Sequence, residues 1–254
     1  MRHSLRLFSL ATLIVVGTII YSSCKKTNSN SEDNNLTSEQ IKSIASSTGK
    51  LHNSILTLVG KNYNLETIIG KDFKNQFYSV EVPNFNLHKN APNHNFDFSG
   101  IYDYENFIDF TFKKSSLIEK DYLKSIARTI KDNSINEIGG KLDIILNSVL
   151  SNESISKSKK LALAGSIEVA RNSSIFWNDA RNNIENPYHV YFSSFNTFIK
   201  PPSCTEWADI FAYVDYYGYY SEGGYSPTQA ATAAGQDASY ASLIASQPGH
   251  SCGH

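Results

Sequence analysis

The C-terminal run His250-Ser251-Cys252-Gly253-His254 sets two imidazoles and a sulfur at alternate positions. A His-x-Cys-x-His spacing can gather three ligands around one zinc or copper ion, provided the cysteine is a thiolate. Upstream, Tyr213, Tyr216, Tyr217, Tyr219, Tyr220 and Tyr225 crowd into one short stretch. Tyrosine joins an apolar ring to a polar tip, which suits a surface for stacking glycans or meeting a protein partner. The same rings would also pack against the Ala-rich stretch that follows. Asp97, Asp103, Glu105 and Asp109 fall in a segment rich in Pro, Asn and Gly. Loop carboxylates can bind calcium or act as the acid–base pair of sugar hydrolysis. Their spacing matches no calcium loop, and a solvated loop face is the plainer reading. His88 and His94 lie close by as further metal candidates. The chain has no Gly-x-Ser-x-Gly elbow, no His-Glu-x-x-His, no phosphate loop and no dinucleotide fingerprint. No cofactor is expected.

At 254 residues the chain is long enough for one sizeable core or two small ones. Lys and Arg number 23 against 24 Asp and Glu, a formal net charge of −1. Basic residues cluster only as Lys25-Lys26, Lys113-Lys114 and Lys157 to Lys160, so no nucleic-acid partner is expected.

The N-terminus carries an address. Arg2, His3 and Arg6 precede an uncharged, Leu/Ile/Val-rich run from Leu7 to Ser23, which closes on Tyr21-Ser22-Ser23-Cys24. This resembles the signal peptide of bacterial lipoproteins, in which small residues precede a cysteine that becomes the lipidated N-terminus. Tyr21 stands where the pattern prefers an aliphatic residue. The resemblance implies removal of residues 1–23 and acylation of Cys24, with a membrane as partner through the lipid. Each buried CH₂ of an acyl chain would add about 0.8 kcal/mol to that anchorage. Lys25 replaces the Asp of the inner-membrane retention signal, which implies the outer membrane. Residues 24–36 are mostly Ser, Asn, Asp and Glu after Lys25-Lys26, a composition that reads as a tether. With Cys24 lipidated, Cys204 and Cys252 remain, and an oxidising envelope compartment favours a disulfide between them. Closing a loop of that length stabilises a fold by about 4 kcal/mol in the chain-entropy account.

The elements that must position these residues are mostly helices. Thr37 to Gln40 is a capping box ahead of Ile41, Ile44, Ala45, Leu51, Ile55, Leu58 and Val59, spaced at three and four. Leu65, Ile68, Ile69, Phe73 and Phe77 predict a second helix. Ser116 with Glu119, and Ser134 with Glu137, open two more; Gly139-Gly140 inside the latter suggests close helix packing. Another helix is predicted over about 155–181. Ser203 and Glu206 are read as capping a helix carrying Trp207, Ile210, Phe211 and Val214, and Ser226-Pro227-Thr228-Gln229 opens a small-residue helix ending at Gln247. The stretch 78–112 reads differently. Val80 with Val82, and Phe107 to Phe112, alternate apolar with polar, so a short β-hairpin or an aromatic-pinned loop is expected.

The expected fold is therefore mainly α: a bundle-like body over 37–181 with an irregular insertion at 78–112, a linker over 182–202 and a helical hairpin over 203–254. The order of elements, with its aromatic helix end Ser174-Ile175-Phe176-Trp177, resembles over part of its length envelope lipoproteins of Bacteroidetes-type bacteria, for which no activity is implied. The expected role is a lipid-anchored envelope module that binds a protein or glycan partner or serves structurally. The alternatives are a glycan or peptide hydrolase with its site in 78–112, and a metal-binding tail at His250, Cys252 and His254.

Overall fold

Side-chain caps decide where the helices begin. In the computed structural model, which describes residues 35–65, 74, 77–78, 92–193, 203–247 and 252, the helices are α1 (Ser38–Asn62), α2 (Tyr104–Thr111), α3 (Leu117–Asp132), α4 (Ile135–Ser151) and α5 (Lys157–Asn182). A 3-10 turn (Pro187–His189) leads into α6 (Val190–Ser193), and α7 (Cys204–Glu222) and α8 (Pro227–Ser246) complete the order. Thr37 and Gln40 form a reciprocal capping box on α1, as do Ser116 with Glu119 on α3 and Ser226 with Gln229 on α8. Each satisfies helix-start N–H groups that would otherwise have no partner. The signal segment with Cys24, the residues Ile68, Ile69 and Phe73, the pair Val80 and Val82, and His88, His250 and His254 all lie outside the described residues.

The protein is mainly α-helical, and among the described residues there is no strand. Four helices make the centre. Gly49 lies against the Glu168 carbonyl and, four residues on along both helices, Asn53 Nδ2 donates to the Asn172 carbonyl at 2.7 Å, so α1 and α5 run side by side in the same direction. Ser239 Oγ donates to the His52 carbonyl, which sets α8 parallel to α1. Asp209 meets Ser173 and Trp177, and Tyr217 meets Ser158, so α7 runs against α5. On the flank, α4 runs against α5, with Arg171 reaching Asp143 and Lys160 reaching the Leu150 carbonyl. Next to it α3 runs against α4, through Tyr122 and Ser148, and α2 runs against α3, through Lys124–Asp109 and Arg128–Glu105. One end of the bundle, the Ser38 end, therefore gathers the starts of α1, α3, α5 and α8 and the ends of α2, α4 and α7.

Small residues let the helices approach. Ala230, Ala231, Ala233, Ala234, Ala238, Ala241 and Ala245 of α8 are buried in one core cluster with the large rings of α7. A Cβ on Gly235 would lie 2.7 Å from Thr48 Cγ2, and one on Gly165 would lie 2.0 Å from the Tyr213 hydroxyl. Gly49, 2.5 Å from the Glu168 carbonyl by the same measure, is as tight, but Gly139-Gly140 is not. Gly140 has open space where its Cβ would be, and Gly139 offers its carbonyl to Arg171. On α1 the buried stripe is Ile41, Ala45, Leu51, Ile55, Leu56 and Val59. Each large apolar side chain there contributes about 1.5–3 kcal/mol on burial.

Three expectations are corrected. The alternating run Phe107 to Phe112 belongs mostly to a helix: Asp103 accepts from Asn106 N at the start of α2, and Tyr104, Phe107 and Ile108 bury one helical stripe against α7. Residues 182–193 are not a loose linker. Asn186 caps the 3-10 turn, the Tyr188 hydroxyl donates to the Leu56 carbonyl at 2.7 Å, and Tyr191 donates to the Leu65 carbonyl at 3.0 Å. Ser203 makes no side-chain cap on α7; Glu206 instead points into the fold and pairs with Arg181. The rings and alanines of α7 and α8 share one core cluster with α1, α3, α4 and α5.

Candidate functional site

The deepest polar cluster is structural. Asp209 sits in the second turn of α7 with no exposure, and accepts from His52 Nε2 at 2.6 Å, Ser173 Oγ at 2.5 Å and Trp177 Nε1 at 2.8 Å. Burial pulls the His52 pKa down, but the charge and hydrogen bond of Asp209 more than offset this and hold the imidazole above its ordinary value. His52 Nδ1 faces Asn53, so both ring nitrogens are committed. The set contains serine, histidine and aspartate, yet serine and histidine both bind the carboxylate and not each other. It is a buried hub tying α1, α5 and α7 together.

A second buried carboxylate, Asp237 of α8, accepts from the Tyr78 and Tyr220 hydroxyls at 2.6 and 2.5 Å. Burial drives its pKa up against the pull of those two hydrogen bonds, to about 7. On the far side of α7's start, Glu206 and Arg181 pair at the edge of an open cavity of about 540 Å³. Burial pushes the Glu206 carboxyl up while Arg181 pulls it down, and the net shift is upward.

The arrangement open to a ligand lies at the Ser38 end, where the C-terminal half of α7 meets the segment before α2. His94 Nε2 donates to the Asp215 carboxylate. The His94 ring stacks on Tyr219, centroids 5.0 Å apart and planes 11° apart, and meets Tyr216 edge-on. The Tyr216 hydroxyl donates to the His94 carbonyl at 3.4 Å. His94 and Asp215 are partly exposed, their side chains at 33% and 25%. Burial raises the Asp215 pKa, and the His94 bond and charge recover only part of it. Around this pair runs a groove of about 470 Å³, walled by Lys113, Lys114, Ser115, Lys159 and Glu222. A smaller cleft of about 150 Å³, with Glu119, Ser158 and Tyr217 in its lining, continues it along α7. Such a groove offers an aromatic face, a carboxylate, hydroxyls and ammonium groups to a polar ligand.

The tyrosine face expected as a surface is corrected. Tyr213, Tyr216, Tyr217 and Tyr220 are buried, and only Tyr219, at 40%, is exposed. Tyr213 packs on Gly165 and Tyr217 meets Ser158, both of α5, while Tyr216 reaches the His94 carbonyl and Tyr220 reaches Asp237 of α8. The carboxylates of 97–109, weighed above as calcium ligands or an acid–base pair, do not converge on one site. Asp97 accepts from Ser99 N, Asp103 caps α2, Glu105 pairs with Arg128 and Asp109 with Lys124. Hydrogen bonds from Ser99, Arg128 and Lys124 hold the Asp97, Glu105 and Asp109 carboxyls low. Cys204 and Cys252 form a disulfide with Cα atoms 5.5 Å apart, so the Cys252 sulfur is not a free thiolate for a metal. Among the described residues no group of three His, Cys, Asp or Glu could hold a metal ion.

His94 and Asp215 are 121 residues apart in sequence, and His52 and Asp209 are 157 apart. No local motif marks either pair. Compared with protein families, curated proteins and solved structures, the chain matches none. Among the described residues, no helix is long and apolar enough to cross a membrane.

Proposed function

We propose that this protein is a lipid-anchored binding module of the cell envelope, held through Cys24 in the outer membrane, which takes a glycan chain in the groove at His94, Asp215 and Tyr219. The observation that carries this reading is the His94–Tyr219 stack beside a partly exposed carboxylate in an open groove. A sugar ring pairs its apolar face with an aromatic ring and its hydroxyls with carboxylate and ammonium groups. An open groove can bind such a chain while leaving it hydrated, whereas catalysis of its hydrolysis gains from excluding water. The anchor rests on the basic start, the apolar run and Ser22-Ser23-Cys24.

Binding of the mature protein to an array of neutral and acidic oligosaccharides tests the groove. Tyr219→Ala is expected to weaken captured binding by about tenfold, the loss of one stacked ring with its buried area. Binding that survives Tyr219→Ala and Asp215→Ala unchanged, or no binding to any member, would remove the glycan reading. Cys24→Ser is expected to leave unlipidated precursor, and wild-type protein that partitions into the aqueous phase of a detergent extraction would remove the anchor.

A second reading is favoured by one feature. A histidine oriented by a carboxylate is how a general base is held, and His94 lies within the 78–112 stretch first considered for hydrolysis. Slow turnover of an array oligosaccharide that is abolished by His94→Ala, with binding retained, would establish it.

A further inference from the structure

Phe110 and Leu117 are large apolar side chains left in solvent, at 73% and 78% exposure. Isolated exposed apolar residues are ordinary on protein surfaces. These two are not isolated. Phe110 lies in the last turn of α2, Leu117 opens α3, and only the short corner between them separates the two. Ile118, at 39%, extends the patch. That corner holds Lys113 and Lys114, both exposed, and the Lys113 ammonium sits 4.2 Å from the centre of the Phe110 ring. Lys114 reaches Glu222, at 3.4 Å, in a pair exposed at 88% and 72% and therefore weak. Apolar side chains flanked by lysines are the chemistry that enters the boundary of an anionic bilayer, rings and alkyl groups below and ammonium groups at the headgroups.

The corner's place in the fold names the occupant. It lies at the Ser38 end of the bundle, where α1 begins and where the chain arrives from Cys24. The stretch from Cys24 to Thr37 spans at most about 45 Å when fully extended, and a coil of that length has a mean reach of about 20 Å. An acyl chain on Cys24 therefore keeps this end within reach of the bilayer. At the opposite end Ile184, just past α5, is exposed at 83%.

We infer that the α2–α3 corner, with Phe110, Leu117, Lys113 and Lys114, docks on an anionic lipid surface and sets the anchored domain with its Ser38 end toward the membrane. The inference rests on the lipidation of Cys24. The corner is also one wall of the groove, so docking places the groove mouth beside the headgroups.

The test uses the full lipidated protein reconstituted in vesicles of phosphatidylcholine and phosphatidylglycerol. Trp177 and Trp207 are both fully buried and shielded from aqueous quencher, so a surface tryptophan can be read against them. In the Phe110→Trp protein, acrylamide quenching is expected to fall several-fold on reconstitution and quenching by brominated lipid to appear. In the Ile184→Trp protein neither is expected to change. Each lysine near an anionic surface raises partitioning about fivefold, so adding Lys113→Gln and Lys114→Gln to Phe110→Trp is expected to weaken docking about 25-fold. Phe110→Trp and Ile184→Trp proteins quenched alike, or equal shielding on phosphatidylcholine alone, would overturn the inference. Flotation with the vesicles and the mass of the N-terminal peptide report the lipid separately. Protein that floats with its corner in water refutes the docking, and protein that does not float refutes the anchor beneath it.

Discussion

Replacing Asp209 by Asn tests the buried hub most directly. The substitution keeps the shape and removes the charge. Asp209 accepts from His52, Ser173 and Trp177 at once, and neither it nor His52 has any exposure. An amide offers a single acceptor oxygen, and its NH₂ cannot accept from the indole N–H or from a protonated imidazole. Each buried donor left without an acceptor costs about 1–3 kcal/mol, and breaking a buried ion pair by removing one partner costs about 3–5 kcal/mol. A loss of about 3–5 kcal/mol is therefore expected at acid pH. The loss should depend on pH. The folded-state pKa of His52 is raised above 6.5, so the stability it contributes is fully present below that value and fades as pH rises through the higher folded value. In Asp209→Asn the buried imidazole has no counter-charge, so this contribution disappears and burial alone disfavours the charged ring. Urea denaturation of both proteins with the disulfide intact, on either side of the ordinary imidazole pKa of about 6.5, gives the comparison. The difference between them should be largest on the acid side and shrink on the alkaline side. A difference that does not vary with pH, or one below about 1 kcal/mol, would refute the picture of a charged pair at the centre of the bundle.

The carboxyl of Asp237, raised to about 7 from 3.8, favours folding in its neutral form. Its contribution is fully present below the lower value and lost as pH rises through the higher, so wild type should lose stability between mildly acid and mildly alkaline pH and Asp237→Asn should lose less, as thermal melts across that range will show. Gly165→Ala would place a methyl carbon 2.0 Å from the Tyr213 hydroxyl. It should lower stability by about 1–3 kcal/mol through overpacking, measured by denaturant unfolding, whereas Gly140→Ala, into open space, should be neutral or stabilising.

The helices were legible because their signals are local. Thr37, Ser116 and Ser226 are followed three residues on by Gln40, Glu119 and Gln229, and apolar residues then recur at helical spacing. α2 is open to both readings because Ile108, Phe110 and Phe112 recur at a period of two while Tyr104, Phe107 and Ile108 recur at helical spacing, and eight residues are too few to separate them. The tyrosines of α7 were ambiguous for a different reason. Composition cannot tell a ring that faces ligand from one that faces Gly165, as Tyr213 does, because both call for an aromatic residue. The groove was the least legible feature. His94 was visible only as one of two nearby histidines, and Asp215 acquires its meaning only when α7 is laid against the segment before α2. Glu206 was read as a capping residue for its place three after Ser203, but Arg181, a full element away, drew it inward.

The bond between Cys204 and Cys252 joins positions 48 residues apart, and the turn at Gly223–Gly224 lies inside the ring it closes. A protease that cuts this turn opens the ring but releases nothing. Both halves stay on one molecule and migrate as one until the sulfurs are reduced. A cut between Ser193 and Ser203 lies outside the ring and can free α7 and α8 together, held then only by their packing. Cleavage within the hairpin is thus invisible to size under oxidising conditions, and separating the hairpin from the rest of the protein requires a cut on the N-terminal side of Cys204.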